Sequence, residues 1–134
     1  MRVCIDVGDL DRAVAFYTAA FDLKLGRRID QAWVELVGGA APIDLLAQPA
    51  GSKASPRSEA LRNYGRHWTP VHLDFEVPDL EAAVERVLAA GGTIDRPFQD
   101  RPWGRMANMA DPFGNGFCLL EFRGRGYDEI ASPK

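Results

Sequence analysis

Val7-Gly-Asp-Leu-Asp-Arg-Ala-Val14 returns seventy residues later as Val77-Pro-Asp-Leu-Glu-Ala-Ala-Val84. Each copy follows a short alternating stretch and opens an amphipathic run that ends in a pair of alanines, Ala19-Ala20 and Ala89-Ala90. Before the first copy, Val3, Ile5 and Val7 alternate with Arg2, Cys4 and Asp6, which is the period of a half-buried strand. After it, Asp9 reads as an N-cap, Asp11 sits in the first turn, and Leu10, Ala13, Val14, Tyr17 and Phe21 recur at helical spacing. The second copy repeats the order. Val71, Leu73, Phe75 and Val77 alternate with His72, Asp74 and Glu76, and Asp79 caps a helix carrying Leu80, Ala83, Val84, Val87 and Leu88. Gly91-Gly92 ends that helix.

Strand candidates follow each helix. In the first half they are 24–29, 33–37 and 43–48. In the second they are 93–95, 105–110 and 117–122, with Asp111-Pro-Phe-Gly-Asn-Gly116 as the turn before the last. Each half therefore reads β-α-β-β-β. The expected organisation is α+β in a single domain of 1–134: module 1 at about 1–48, a connector at about 49–68, module 2 at about 69–124, and a tail at 125–134. The connector is polar and basic (Lys53, Arg57, Arg62, Arg66), and Leu61 within 58–64 suits a short helix. A solvated linker and a lid over a pocket both fit it.

Composition narrows the function classes. The 134 residues carry 16 Lys and Arg against 19 Asp and Glu, a net charge of −3. There is no basic stripe of the kind a nucleic-acid surface needs. No apolar run reaches the length of a membrane span, and no signal-peptide layout opens the chain. Two cysteines, Cys4 and Cys118, do not make a disulfide framework. The expectation is a cytoplasmic protein with free thiols.

Two motifs carry a family resemblance: the Val7–Tyr17 phrase ending in Phe-Tyr, and Asp111-Pro-Phe-Gly-Asn-Gly-Phe-Cys-Leu-Leu120. They resemble the vicinal oxygen chelate superfamily, which includes glyoxalase I, bleomycin-resistance proteins and extradiol dioxygenases. The resemblance implies that the two modules form a curved mixed sheet with helices on the convex face and a concave binding cup. It also implies a homodimer and a small-molecule ligand. The family's metal enzymes place four ligands at the starts of the modules' first strands and the middles of their last. Carried over, these positions are Arg2, Asp44, His72 and Cys118. Only His72 has the usual identity, and a guanidinium at Arg2 repels a cation.

Strand parity fills in the cup. The phase opposite the core puts Arg2, Cys4, Asp6, Asp44, His72, Asp74, Glu76, Cys118, Leu120 and Phe122 on that side. Trp68 and Trp103, in loops beside strands, suit a pocket or a dimer seam. Ligand-binding candidates are thus Arg2, Asp44, His72, Asp74, Trp68, Trp103, Cys118 and Phe122. Arg2 and Asp44 suit an ion pair in the place of the metal, or a clamp for a polar substrate. Asp44, His72 and Cys118 form the candidate metal trio for one divalent ion (Zn, Ni, Mn or Fe), weighed against no cofactor at all. With only His67 and His72 in the chain, a two-histidine iron site for extradiol chemistry is poorly supplied. Two functions stand. One is a metal-independent binder of a small organic molecule. The other is a metal-dependent lyase or isomerase of the glyoxalase type, with Asp44, Glu76 or His72 as candidate base.

Overall fold

The computed structural model describes residues 1–133. The chain divides into two units, Met1–Gly65 and a second beginning at Arg66. The first runs β1 (Val3–Val7), α1 (Leu10–Phe21), β2 (Lys24–Arg28), β3 (Trp33–Val37) and β4 (Ile43–Ala47). The second runs β5 (Leu73–Glu76), α2 (Leu80–Ala89), β6 (Thr93–Arg101), β7 (Gly104–Ala110) and β8 (Gly116–Phe122). A single 3-10 turn follows at Gly126–Glu129. Each unit has its own mixed four-stranded sheet, ordered β1-β4-β3-β2 and β5-β8-β7-β6. The outer pair of each, β1 with β4 and β5 with β8, is parallel, and the rest is antiparallel. No helix among the described residues is long and apolar enough to cross a membrane.

The repeated phrase does the same work twice. Asp9 and Asp79 are both N-caps, each accepting from the backbone N–H three residues on, at 2.9 Å. This satisfies a helix donor that would otherwise be unpaired. Helix α1 buries Leu10, Ala13, Phe16, Tyr17 and Ala20, and α2 buries Leu80, Ala83, Val84 and Val87. Beneath α1 lie Ile5, Val7, Val34, Leu36, Ile43 and Leu45; the core of the second unit adds Ala107, Met109, Phe117 and Leu119. Burying one such large apolar side chain contributes about 1.5–3 kcal/mol, so these faces hold the sheets to their helices.

The turn before β8 is built around Asp111, which is buried. Its Oδ1 accepts from the N–H groups of Phe113 (2.8 Å) and Asn115 (2.9 Å), and its Oδ2 from Asn115 Nδ2 (2.7 Å). The Asp-Pro-Phe-Gly-Asn stretch is therefore an Asp-centred turn.

Three expectations need correction. Strand β5 begins at Leu73, not Val71, and Val71 is 76% exposed. The reason is that His67 already pairs with Asn115 and accepts from Gly116 N–H, so the ladder upstream of β8 is occupied. Strand β6 runs on to Arg101 instead of stopping at residue 95. The strand runs through Pro97 because β6 is an edge strand, and two register shifts absorb the missing donor. Residues 58–64 form no helix; Leu61 instead bridges to Lys53.

The tail packs on the second unit. Tyr127 of the 3-10 turn packs edge-on against Phe122, ring centroids 4.7 Å apart, and against Trp103 at 5.2 Å. The connector, too, is shared out. Tyr64 Oη donates towards the carbonyls of Gln48 (2.6 Å) and Val7 (3.0 Å), and Arg62 Nε donates to Asp6 Oδ2 at 2.6 Å, all within the first unit. Arg66 pairs with Asp95, and Trp68 Nε1 donates to Asp95 Oδ2 at 2.8 Å, both in the second.

Candidate functional site

The register of the parallel pairs makes the two units comparable position by position. Cys4 faces Asp44 across β1 and β4; Asp74 faces Cys118 across β5 and β8. One strand further in, Glu35 faces Asp44 and Asn108 faces Cys118. Directly opposed residues share a sheet face. The helix-side face is identified in the second unit by Glu121, whose Oε2 accepts from Leu80 N–H at the start of α2, at 2.9 Å. Alternation then puts Cys118, Leu120 and Phe122 on the other face, with Asn108 and Met106 beside them.

In the first unit that other face is ionic. Arg2 grips Asp44 through two bonds, Nε to Oδ2 at 2.8 Å and Nη2 to Oδ1 at 2.7 Å. Trp33 Nε1 donates to Asp44 Oδ1 at 3.2 Å. Arg2 Nη2 also lies 3.4 Å from Glu35 Oε1, and Arg27 Nε donates to Glu35 Oε2 at 2.6 Å. Both carboxylates are buried, and two arginines neutralise them. The bond from Arg2, helped by Trp33, holds the Asp44 carboxyl below the usual carboxylate range against the opposing effect of burial. Arg27 does the same for Glu35, with Arg2 assisting. Asp44 is left a poor base and a poor metal ligand, because its oxygens already serve three donors. Cys4, exposed beside it, has its thiol pKa raised by burial of the sulfur region and by the charges of Asp44 and Asp6.

In the second unit the same face is aromatic. Trp103, Cys118 and Leu120 form a buried apolar cluster, with Trp68, Met106 and Phe122 packed against it. The rings of Trp103, Phe122 and Tyr127 contact one another at 4.7–5.6 Å between centroids, the range of edge-to-face pairs. Trp68 meets His72 at 5.5 Å. A cleft of about 290 Å³ is lined by Trp68, Asp95, Arg96 and Asn108. Two glycines permit these approaches. A Cβ at Gly116 would fall 2.5 Å from two carbons of the Trp68 indole, and one at Gly104 would fall 2.0 Å from the Glu121 carbonyl oxygen.

Within this face His72, Asp74 and Cys118 bring one ligand atom each to within 4.8 Å of one another. His72 Nε2 lies 3.4 Å from Asp74 Oδ1. Asn108 Nδ2 donates to Cys118 Sγ at 3.3 Å, and Asn108 Oδ1 accepts from Gln99 Nε2 at 3.0 Å. Burial pushes the Cys118 thiol up to about 12, with hydrogen bonding to Asp74 and that group's charge adding to the effect. The sulfur is thus a protonated thiol at neutral pH, not a nucleophile. Glu76, exposed at the end of β5, lies opposite Leu120 and close enough to raise the Tyr127 hydroxyl's pKa, an effect in which burial and Asp74 weigh more.

The expected site residues therefore fall into two groups. Arg2 and Asp44 belong to the ionic face of the first unit. His72, Asp74, Glu76, Trp68, Trp103, Cys118 and Phe122 belong to the second. Of the expected metal trio, His72 and Cys118 come together with Asp74 as the third donor. Sequence reasoning passed over Glu35, Arg27, Asn108 and Tyr127. The alternation of Trp33, Glu35 and Val37 against Val34 and Leu36 held the signal for Glu35. Tyr127 had no local signal.

Residues 2–120 match the family model described as a glyoxalase-like domain. An uncharacterized protein of Mycobacterium bovis is 32% identical over 123 residues, covering 84% of this chain and 76% of that protein. The anthracycline biosynthesis protein DnrV of Streptomyces peucetius is 38% identical over 65 residues, 48% of this chain. That match spans only 22% of DnrV. Among solved structures, the fosfomycin resistance protein FosX of Listeria monocytogenes superposes with a TM-score of 0.73 at 16% identity, covering 98% of this chain and 96% of FosX. A FosX variant complexed with Mn(II) and a dihydroxypropylphosphonic acid gives a TM-score of 0.67 at 17% identity, over 89% and 86%. At these identities the likeness is one of fold.

Proposed function

The chain belongs to the glyoxalase-like family, and from that premise we propose that it binds a small oxygenated aromatic molecule on the aromatic face of its second unit, without the family's four-ligand metal site. The observation that carries the reading is the divergence of the two equivalent faces. One is closed by the Arg2–Asp44–Glu35–Arg27 network. The other offers Trp103, Leu120, Phe122 and Trp68 as apolar wall. Small-molecule sites are mostly apolar and aromatic, with a few polar groups that set orientation. Asp74 and Glu76 on this face favour a ligand that carries a cationic group. DnrV, named for anthracycline biosynthesis, supports a polycyclic ligand of that kind.

The test is a titration of chelator-treated protein with doxorubicin, an anthracycline bearing an amine, followed by the ligand's own fluorescence. Saturable binding at one site per chain, weakened at least about tenfold by Phe122→Ala, supports the reading; a tenfold loss corresponds to about 1.4 kcal/mol. Absence of saturable binding sinks it for this ligand class. The proposal includes the homodimer and the cytoplasmic location, and light scattering on the purified chain tests the first.

A second reading, a lyase or isomerase of the glyoxalase type, is favoured by the His72, Asp74 and Cys118 donor group. A divalent ion held there would supply Lewis acidity towards adjacent substrate oxygens. Glu76, exposed on the same face, is then the candidate proton acceptor, His72 being taken up as a ligand, and Asp44, tied by Arg2 and Trp33, drops out.

A further inference from the structure

We propose that the aromatic face is gated by the chain's own tail: residues 124–130 form a hinged strap whose Tyr127 ring takes the place of an aromatic ligand against Trp103 and Phe122, and the ligand displaces it on binding. The inference rests on the small-molecule reading above and adds the control of access to that site. Trp103 belongs to the apolar wall of the site, yet it is only 8% exposed. A molecule cannot stack on a ring that is already covered, so part of the cover has to move. The rings against Trp103 are Phe122 and Tyr127, at 5.6 and 5.2 Å between centroids. Phe122 ends β8 and is held in the ladder opposite Gly104. Tyr127 stands in a single 3-10 turn and is 49% exposed. The movable part of the cover is therefore Tyr127.

The way the strap is attached suits such a movement. The last backbone bond from this end of the chain to the sheet is Arg123 N–H to the Trp103 carbonyl, at 3.0 Å. Beyond it, among the described residues, the backbone bonds stay local: Gly126 N–H to the Arg123 carbonyl, Asp128 to Arg125, and Ile130 to Tyr127. Arg125 closes the turn on itself, its backbone N–H and its guanidinium both bonding the Glu129 carboxylate at 3.1–3.3 Å. The turn is thus a small body tied together internally. Gly124 and Gly126 bracket Arg125 with φ of +58° and +60°, left-handed backbone that glycine adopts without strain. A body that reaches the sheet through one ring and is joined to it through two such glycines opens more readily than a paired strand.

The occupant also has the chemistry of the ligand it would exclude. Tyr127 is an aromatic ring with a hydroxyl, seated edge-on against Phe122 and Trp103. Its hydroxyl lies within electrostatic reach of Asp74, Cys118 and Glu76, the polar groups of the same face. An oxygenated aromatic molecule replacing it would meet the same wall and the same polar groups. Binding then draws on the open fraction of the chain, and the apparent affinity is lowered by that fraction.

The experiment uses the full chain and two readouts. Stopped-flow fluorescence gives the association and dissociation rates of doxorubicin. A soluble paramagnetic probe, added without doxorubicin, broadens the NMR signals of exposed indole N–H groups and so reads the cover over Trp103 directly. Tyr127→Ala removes the covering ring. It should speed association at least about fivefold, with dissociation within about twofold of the parent, and should increase the broadening at Trp103. Gly126→Ala strains the left-handed pivot and crowds Phe122, whose ring carbon lies 3.3 Å from the added Cβ, so it should shift both readouts in the same direction. Tyr127→Phe keeps the ring and should associate within about twofold of the parent. Circular dichroism verifies folding, and Tyr127→Ala decides the matter if Gly126→Ala does not fold. Weaker binding by Tyr127→Ala, as for a ring that is part of the wall, overturns the proposal. So does an unchanged association rate, or a Trp103 signal broadened equally in parent and Tyr127→Ala. Doxorubicin binding at parental rates in Tyr127→Ala sinks the strap and leaves the site standing. No doxorubicin binding by any form sinks the small-molecule reading, and the gate with it, whatever the broadening shows of the cover.

Discussion

Replacing Asp44 by Asn keeps the shape of the side chain and removes its charge. In the parent, Arg2 donates two bonds to this carboxylate, and Trp33 donates a third. A hydrogen bond to a charged group is worth about 1.5–3 kcal/mol. The figure must be discounted here, because the Arg2 side chain is 46% exposed and keeps Glu35 as a partner at 3.4 Å. The expected loss is about 1–2 kcal/mol at pH 7. With a urea slope of about 1–3 kcal/mol/M, the midpoint should fall by roughly 0.5–1 M.

The pH dependence has a definite sign. Arg2 holds the folded-state carboxyl below its ordinary value of 3.8. Its contribution is therefore complete above that value and lost as pH falls through the lower folded-state value. The gap between parent and Asp44→Asn should be constant from pH 7 to about 5 and close progressively below 3.8. Urea unfolding at pH 7, 5 and 3.5 checks this. Equal midpoints at pH 7, or a gap that widens on acidification, would refute the account of the ionic face.

Gly116→Ala puts a Cβ 2.5 Å from the Trp68 indole and 2.8 Å from the His67 carbonyl oxygen, so the ring or the His67 backbone must shift. A destabilisation of about 1–3 kcal/mol and a shifted tryptophan emission should follow in a denaturant titration. Cys118 should react with iodoacetamide at pH 8 on the order of a thousandfold more slowly than an ordinary thiol, its own having been pushed up to about 12. Peptide mapping by mass spectrometry gives the rate, and alkylation at the speed of a free thiol would contradict the burial argument. Glu121→Gln removes the charge that receives Leu80 N–H at the start of α2. A loss of about 0.5–1 kcal/mol is expected in thermal unfolding, with no change in the aromatic face.

The repeat made the two modules legible because each element of the phrase has a local physical job. Asp9 and Asp79 cap, and the alternation before them assigns faces. Those faces turn out as parity requires, with Cys118, Leu120 and Phe122 away from α2 and Glu121 towards it. What was not legible depends on register between strands distant in sequence. Glu35 matters because it faces Asp44, and Asn108 because it faces Cys118, and neither pairing is written in its own neighbourhood. The length of β6 was hidden for a related reason, since whether a strand can run through Pro97 depends on whether it lies at an edge. Tyr127 reaches Trp103 and Phe122 only through tertiary packing of the tail.

The central claim is that the face of the second unit carrying Trp103, Leu120 and Phe122 receives a small aromatic molecule. The direct measurement is an amide and indole NMR titration of the chelator-treated, isotope-labelled chain with doxorubicin. The account predicts saturable shifts at the Trp68 and Trp103 indole N–H groups and at the amides of Cys118, Leu120 and Phe122. Shifts confined to α1, α2 or the Arg2 and Asp44 neighbourhood would contradict it.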